Sequence, residues 1–125
     1  MRRVVGVALL AAIGCAHPPP PVARAAELVW VAKHYAGGVS CRADIQYQVP
    51  NTVAILRRSG IIVYASVREG LMLPDSCDAP GYAAIHYALI AERHVERAAR
   101  AGYLPRLPPR EVLPDSLKPS TGGEP

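Results

Sequence analysis

No block of five or more like charges occurs in the 125 residues, so the electrostatic footprint of a nucleic-acid-binding protein is missing. No apolar run reaches the about 20 residues that a bilayer-spanning helix requires. Neither Cys-x-x-Cys nor GxGxxG is present, and Gly37-Gly38 is followed by no Lys-Ser/Thr pair, which excludes a thioredoxin-type redox motif and a phosphate loop. His and Asp do not recur at metal-ligand intervals, and there are no internal repeats. Ser40, Ser59, Ser66 and Ser76 lack a nucleophile context, and nothing pairs a base with a nucleophile or an acid. Asp75 and Asp78 read as turn formers, and His94 as a residue on the exposed face of a helix. The expectation is a protein without catalytic residues, cofactor or resident metal.

Proline is scarce in one region and crowded elsewhere. Of 13 prolines, only Pro50, Pro74 and Pro80 fall between Ala26 and Tyr103, whereas Pro18 to Pro21 form one run and the rest lie from Pro105 onward. Residues 26–103 therefore read as one small domain, 15–25 as a polyproline tether and 104–125 as a disordered tail with too little apolar content to order itself. Pro105-x-x-Pro108 within that tail has the spacing of segments that dock on aromatic grooves, a spacing almost unavoidable at this proline density. Charge inside the domain is nearly balanced: eight cations face seven carboxylates, and Arg2, Arg3 and Arg24 contribute much of the formal +4.

The first fifteen residues carry the most specific signal. Arg2 and Arg3 precede a 10-residue apolar run, Val4 to Ile13, which has the length of a secretory signal core. The pair lacks the flanking residues of a twin-arginine signal. Gly14-Cys15-Ala16 before His17 offers small residues for ordinary signal cleavage, which would release a soluble periplasmic or secreted protein. Ala12-Ile13-Gly14-Cys15 resembles the lipobox of bacterial lipoprotein precursors, departing from it at Ala12, where Leu is commonest. That resemblance covers residues 1–15 only. It implies cleavage after residue 14, acylation of Cys15 and a membrane anchor. Ala16-His17 lacks the Asp at +2 that retains some lipoproteins at the inner membrane, so the expected location is the outer membrane, facing the periplasm or the surface.

Hydrophobic periodicity in the domain gives strands at 28–35, 61–68 and 82–90 and helices at 51–59 and 91–101. Asn51 is the expected N-cap of the first helix and Gly60 its C′ residue, and Gly102 ends the second. The order strand, helix, strand, strand, helix predicts an α+β fold, a truncated ferredoxin-like βαββα sandwich with a three-stranded sheet and both helices on one face. In that topology the connections holding Cys41 and Cys77 leave from the same end, so these two are expected to form a disulfide, closing a 37-residue loop. With three cysteines in all, that pairing leaves Cys15 over.

Alternation assigns faces. Ile61, Val63, Ala65, Val67, Ile85, Tyr87 and Leu89, with Val29 and Val31, are expected to face the helices. The other face would then be an open aromatic surface carrying Trp30, His34, Tyr64, Arg68, Tyr82 and His86, with Ile62 and Ser66. Three readings of it stand side by side: a protein-binding or homodimer face, a small-ligand cleft using His34, His86 and Arg68, or a surface closed by the tail or by the 36–49 connection. A two-histidine metal site of His34 and His86 is the narrowest form of the second reading. The protein is thus expected to be an envelope lipoprotein with a binding or structural role, its partners the membrane and a second protein or copy of itself.

Overall fold

The structure is a computed structural model that describes residues 27–42 and 44–119. The signal segment, Cys15, the whole tether, Ala26, Ala43 and residues 120–125 lie outside the described residues. Two helices and four strands follow one another: β1 (Leu28–Gly37), α1 (Thr52–Arg58), β2 (Ala65–Gly70), β3 (Tyr82–Ala91), α2 (Val95–Arg100) and β4 (Leu104–Pro105). A 3-10 turn at Glu92–His94 leads into α2, and two more follow β4 at Arg110–Val112 and Asp115–Leu117. No helix among the described residues is long and apolar enough to cross a membrane.

The helix ends follow from local chemistry. The Asn51 side chain accepts the Ala54 N–H at 3.0 Å, which satisfies one of the free donors of the first turn. Arg57 and Arg58 occupy the last turn, where cations complement the dipole. Gly60 and Gly102 close the two helices with φ of 77° and 90°, backbone that only glycine adopts without strain.

All strand pairs are antiparallel and the order across the sheet is β2-β3-β1-β4. β1 and β2 therefore run parallel to each other with β3 between them, the crossover through α1 joining them. Where three strands were expected there are four. The fourth spans two residues, too short to leave a periodic signal, and pairs Val31 with Pro105 and Ala32 with Leu104.

Two clusters, one on each side of the sheet, form the core. Val31, Ala88 and Ile90 meet Leu56 of α1, Ala98 of α2, Ile61 and Tyr103 on the helix side. Ala32, Ile85 and Tyr87 lie on the opposite side with Trp30, Val67 and Leu71. The face assignment made from alternation needs correcting here. Ala65, Val67, Ile85, Tyr87 and Leu89 do share a face, but it is the one turned away from the helices. Register is the reason: Val31 pairs with Ala88 and Trp30 with Leu89, so odd residues of β1 share a face with even residues of β3. Ile61 and Val63, which precede β2, pack on the helix side instead.

The second correction concerns residues 104–119, read as part of an unstructured tail. After β4 the chain leaves the β1 edge, and the turn at Arg110–Val112 packs against β2 at the opposite edge. The segment between them thus crosses the face that carries Trp30. Pro108 and Leu113 are buried and line one groove with Trp30. This strap covers the sheet face that the helices leave bare. The face is closed by the chain itself.

Candidate functional site

β1 and β2 end, and β3 begins, at the same end of the sheet, with Gly37 beside Tyr82 and Gly70 beside Ala84. The two long connections leave from there and are joined by the Cys41–Cys77 disulfide, with Cα atoms 5.0 Å apart. The Ser40 N–H donates to the Ala79 carbonyl at 3.2 Å, a second tie between the same loops. Closing a loop of this length contributes about 3–4 kcal/mol in the chain-entropy model. That is a large share of the stability of so small a domain.

Tyr47, in the first of these loops, stacks on Tyr82 with ring centroids 5.3 Å apart. The ring reaches this place because Gly37 has no side chain: a Cβ there would sit 2.2 Å from it. Between the loops opens a cleft of about 370 Å³ lined by Val39, Ser40, Arg42, Gln46, Tyr47 and Tyr82, among others. Arg42 meets Asp44 through two hydrogen bonds, Nε to Oδ1 at 2.9 Å and Nη2 to Oδ2 at 2.7 Å. That pair raises the Arg42 pKa and lowers that of Asp44. The guanidinium is therefore already engaged.

From Tyr82 a hydrogen-bonded chain runs into the helix-side core. Tyr82 Oη lies 2.7 Å from His86 Nε2, and His86 Nδ1 lies 3.0 Å from Thr52 Oγ1. Tyr103 donates to Thr52 Oγ1 at 3.2 Å, and Tyr35 lies 2.6 Å from Tyr103. Since the Tyr103 proton is committed to Thr52, Tyr35 is the donor to Tyr103. Burial, and then the Arg68 charge, hold the His86 pKa below its ordinary value. His86 is accordingly neutral, with one ring nitrogen donating and the other accepting. Burial first, then the bond to Tyr103, push the Tyr35 hydroxyl well above the usual phenol range. Lys33 Nζ donates to the Ala101 carbonyl at 3.1 Å and sits over the rings of Tyr35 and Tyr103, 5.1 and 5.7 Å from their centroids. Every buried side-chain nitrogen and oxygen among the described residues has a partner. The chain positions the Tyr82 hydroxyl at the cleft and specifies how the helices sit on the sheet.

The six residues expected on one binding face are split by the register. Trp30 is on the strap side, and exposed His34 is on that same side by alternation. Tyr82, His86 and Arg68 are on the helix side, where Arg68 is paired with His86 across β2 and β3. Tyr64 precedes β2 and is exposed. His34 pairs with Ile85 and His86 with Lys33, so the two histidines point to opposite faces and form no joint metal site. His86, at 1% exposure, belongs to the interior. Thr52, Tyr103, Tyr35 and Tyr47 were not singled out by the sequence, because a tyrosine in a strand or after a helix reads the same whether its hydroxyl meets water or a partner.

No family model matches the chain, and neither a curated protein nor a solved structure matches it at a significant level.

Proposed function

We propose that the protein is a small cell-envelope lipoprotein, acylated on Cys15 and held at the outer membrane, whose domain is a binding or structural module. We read the domain as a small ferredoxin-like sandwich with a shortened last strand. The observation that carries the proposal is the Cys41–Cys77 bond. Such a bond suits an oxidising compartment, and it leaves Cys15 as the third cysteine, at the end of the lipobox-like Ala12-Ile13-Gly14-Cys15. With the sheet face closed by the strap, the surface offered to a partner is the loop pair at the disulfide end. Val39, Ile45, Val49, Met72 and Leu73 are exposed there beside the tyrosine-lined cleft.

A Cys15→Ala chain tests the anchor. It should move from the envelope to the soluble fraction and lose the mass of its acyl chains; retention in the envelope without those chains overturns the proposal. A Met72→Asp, Ile45→Asp chain tests the surface. Crosslinking in intact cells should lose its adducts, and adducts unchanged from the parent chain would remove the loops from the reading.

The cleft supports a second reading, a small-ligand site. Ser40, Gln46 and the fixed Tyr82 hydroxyl surround one opening beside a stacked aromatic pair. It replaces the version built on His34 and His86. A ligand screen read by calorimetry on parent and Tyr47→Ala chains separates the two readings, since only the small-ligand reading predicts heat that Tyr47→Ala abolishes.

A further inference from the structure

At the end of the sheet opposite the disulfide, apolar side chains gather on the surface. Two shallow grooves of about 480 and 340 Å³ share Trp30 and Leu107; the first is completed by Leu28 and Arg106, the second by Arg110 and Leu117, among others. Leu107 is 79% exposed and Leu28 43%, and neighbouring Leu104 is 59% exposed. Leucines at such exposure, continuous with a tryptophan and flanked by two arginines, have the composition of a membrane-interfacial surface, where the aromatic ring lies at headgroup depth and guanidinium groups reach the phosphates. Neither Arg106 nor Arg110 is in an ion pair among the described residues.

Position in the chain names the occupant. Leu28, part of the patch, is the first residue of β1, and only residues 16–27 separate it from Cys15. Even fully extended that connection reaches at most about 43 Å, and it enters the domain at Leu28, so an anchor at Cys15 makes this end of the domain the one nearest the point of attachment to the lipid. We infer that the patch of Leu28, Trp30, Leu104, Leu107, Arg106 and Arg110 lies on the bilayer surface, seating the domain on the membrane with its disulfide-tied loops directed away. This rests on the lipoprotein reading above. β1 is ten residues long, so the loops stand about 33 Å from Leu28, the far end of the patch.

Trp30 is the only tryptophan in the chain, which makes it a reporter. The full processed protein is reconstituted into vesicles of phosphatidylethanolamine and phosphatidylglycerol (about 3:1), with a fraction of the lipid carrying bromine high on the acyl chain. Trp30 emission should be quenched by the brominated lipid and shielded from aqueous acrylamide. A Leu28→Asp, Leu107→Asp chain should lose at least about half of the lipid quenching and gain acrylamide access while staying on the vesicles through its acyl chains. Both positions are exposed, so a thermal melt matching the parent chain shows that the fold is kept. Leu107→Ser serves as the milder second variant and should move both signals in the same direction. Trp30 open to acrylamide and untouched by bromine overturns the inference. So does Trp30 shielded from both, which would leave the ring under its own strap, a protein or a second copy and not at the lipid. Mass spectrometry of the Cys15 peptide separates the two layers of the proposal. An acylated chain without lipid quenching removes the seating alone, and an unacylated chain removes the anchor and the seating together.

Discussion

The two faces of the sheet are closed by different means. On the helix side, α1 and α2 cover a cluster that includes a five-residue polar chain, from Tyr82 through His86, Thr52 and Tyr103 to Tyr35. On the other side a strap rich in proline lies over Ala32, Ile85, Tyr87 and Trp30, and the Tyr87 hydroxyl there makes a part-buried bond to Glu69 at 2.7 Å. A helix supplies its own backbone hydrogen bonds and can cover much area. A strap with prolines needs fewer bonds, because each proline lacks an N–H, but it covers less. The helix side should therefore carry most of the cooperative stability, and the strap side should be the layer that opens first.

Cavity formation should separate the faces most. Ile90→Ala, at a fully buried position under the helices, should cost about 2–5 kcal/mol, and Leu113→Ala, in the strap at the surface margin, should fall at or below the bottom of that range. Urea melts of the two variants measure the difference; equal costs would mean that the strap is as integral as the helices. Next, Tyr103→Phe removes the hydroxyl that both accepts from Tyr35 and donates to Thr52, and should cost roughly 1–3 kcal/mol. Tyr87→Phe, on the strap side, breaks one bond to a partner that water can reach, and should cost about 0.5–1.5 kcal/mol. If it exceeds Tyr103→Phe, the contrast between the polar content of the faces is wrong.

The smallest effects are the pH dependences. His86 has a lowered pKa, so the unfolded chain binds its proton more readily; this contribution is complete above the ordinary histidine value of 6.5 and is lost as the pH falls below it. His86→Gln should flatten the acid limb of a stability–pH curve there. Burial first, and then Glu69, push the Tyr87 hydroxyl up to about 12. Its contribution is complete below pH 10 and is lost as the pH rises toward 12, and in Tyr87→Phe the alkaline limb should be shallower. Tyr35, raised as well, leaves part of that limb in place.

How far the sequence carried the fold can be argued from particular residues. Asn51 and Gly60 mark the first helix through chemistry that acts within a few residues, and it stands where that chemistry places it, whereas the alternation of Ile61 to Arg68 marks a strand that begins only at Ala65 and runs to Gly70. The disulfide was readable because both cysteines had to leave the sheet at the same end, whichever strand lay between. Register was not readable, since Trp30 can face Leu89 or Ala88 with equally good alternation on each strand, and a slip of one residue moves His34 and His86 to different sides. Closure of the face by the tail was one of three readings and could not be chosen from among them, because composition weighs prolines as breakers of regular structure. Pro108 and Leu113 need no regular structure to pack against Trp30.

β4 begins only at Leu104, opposite Ala32, so beyond Ala32 it leaves the outer edge of β1 unpaired. A bare strand edge invites a second chain to add on. Lys33 stands at the start of that stretch, and its ammonium is tied to the end of α2 across the edge. The other margin, β2, is six residues long and carries the charged pair Arg68 and Glu69 among small side chains. What keeps the sheet from growing is thus the tied Lys33 at one margin and the short, charged β2 at the other.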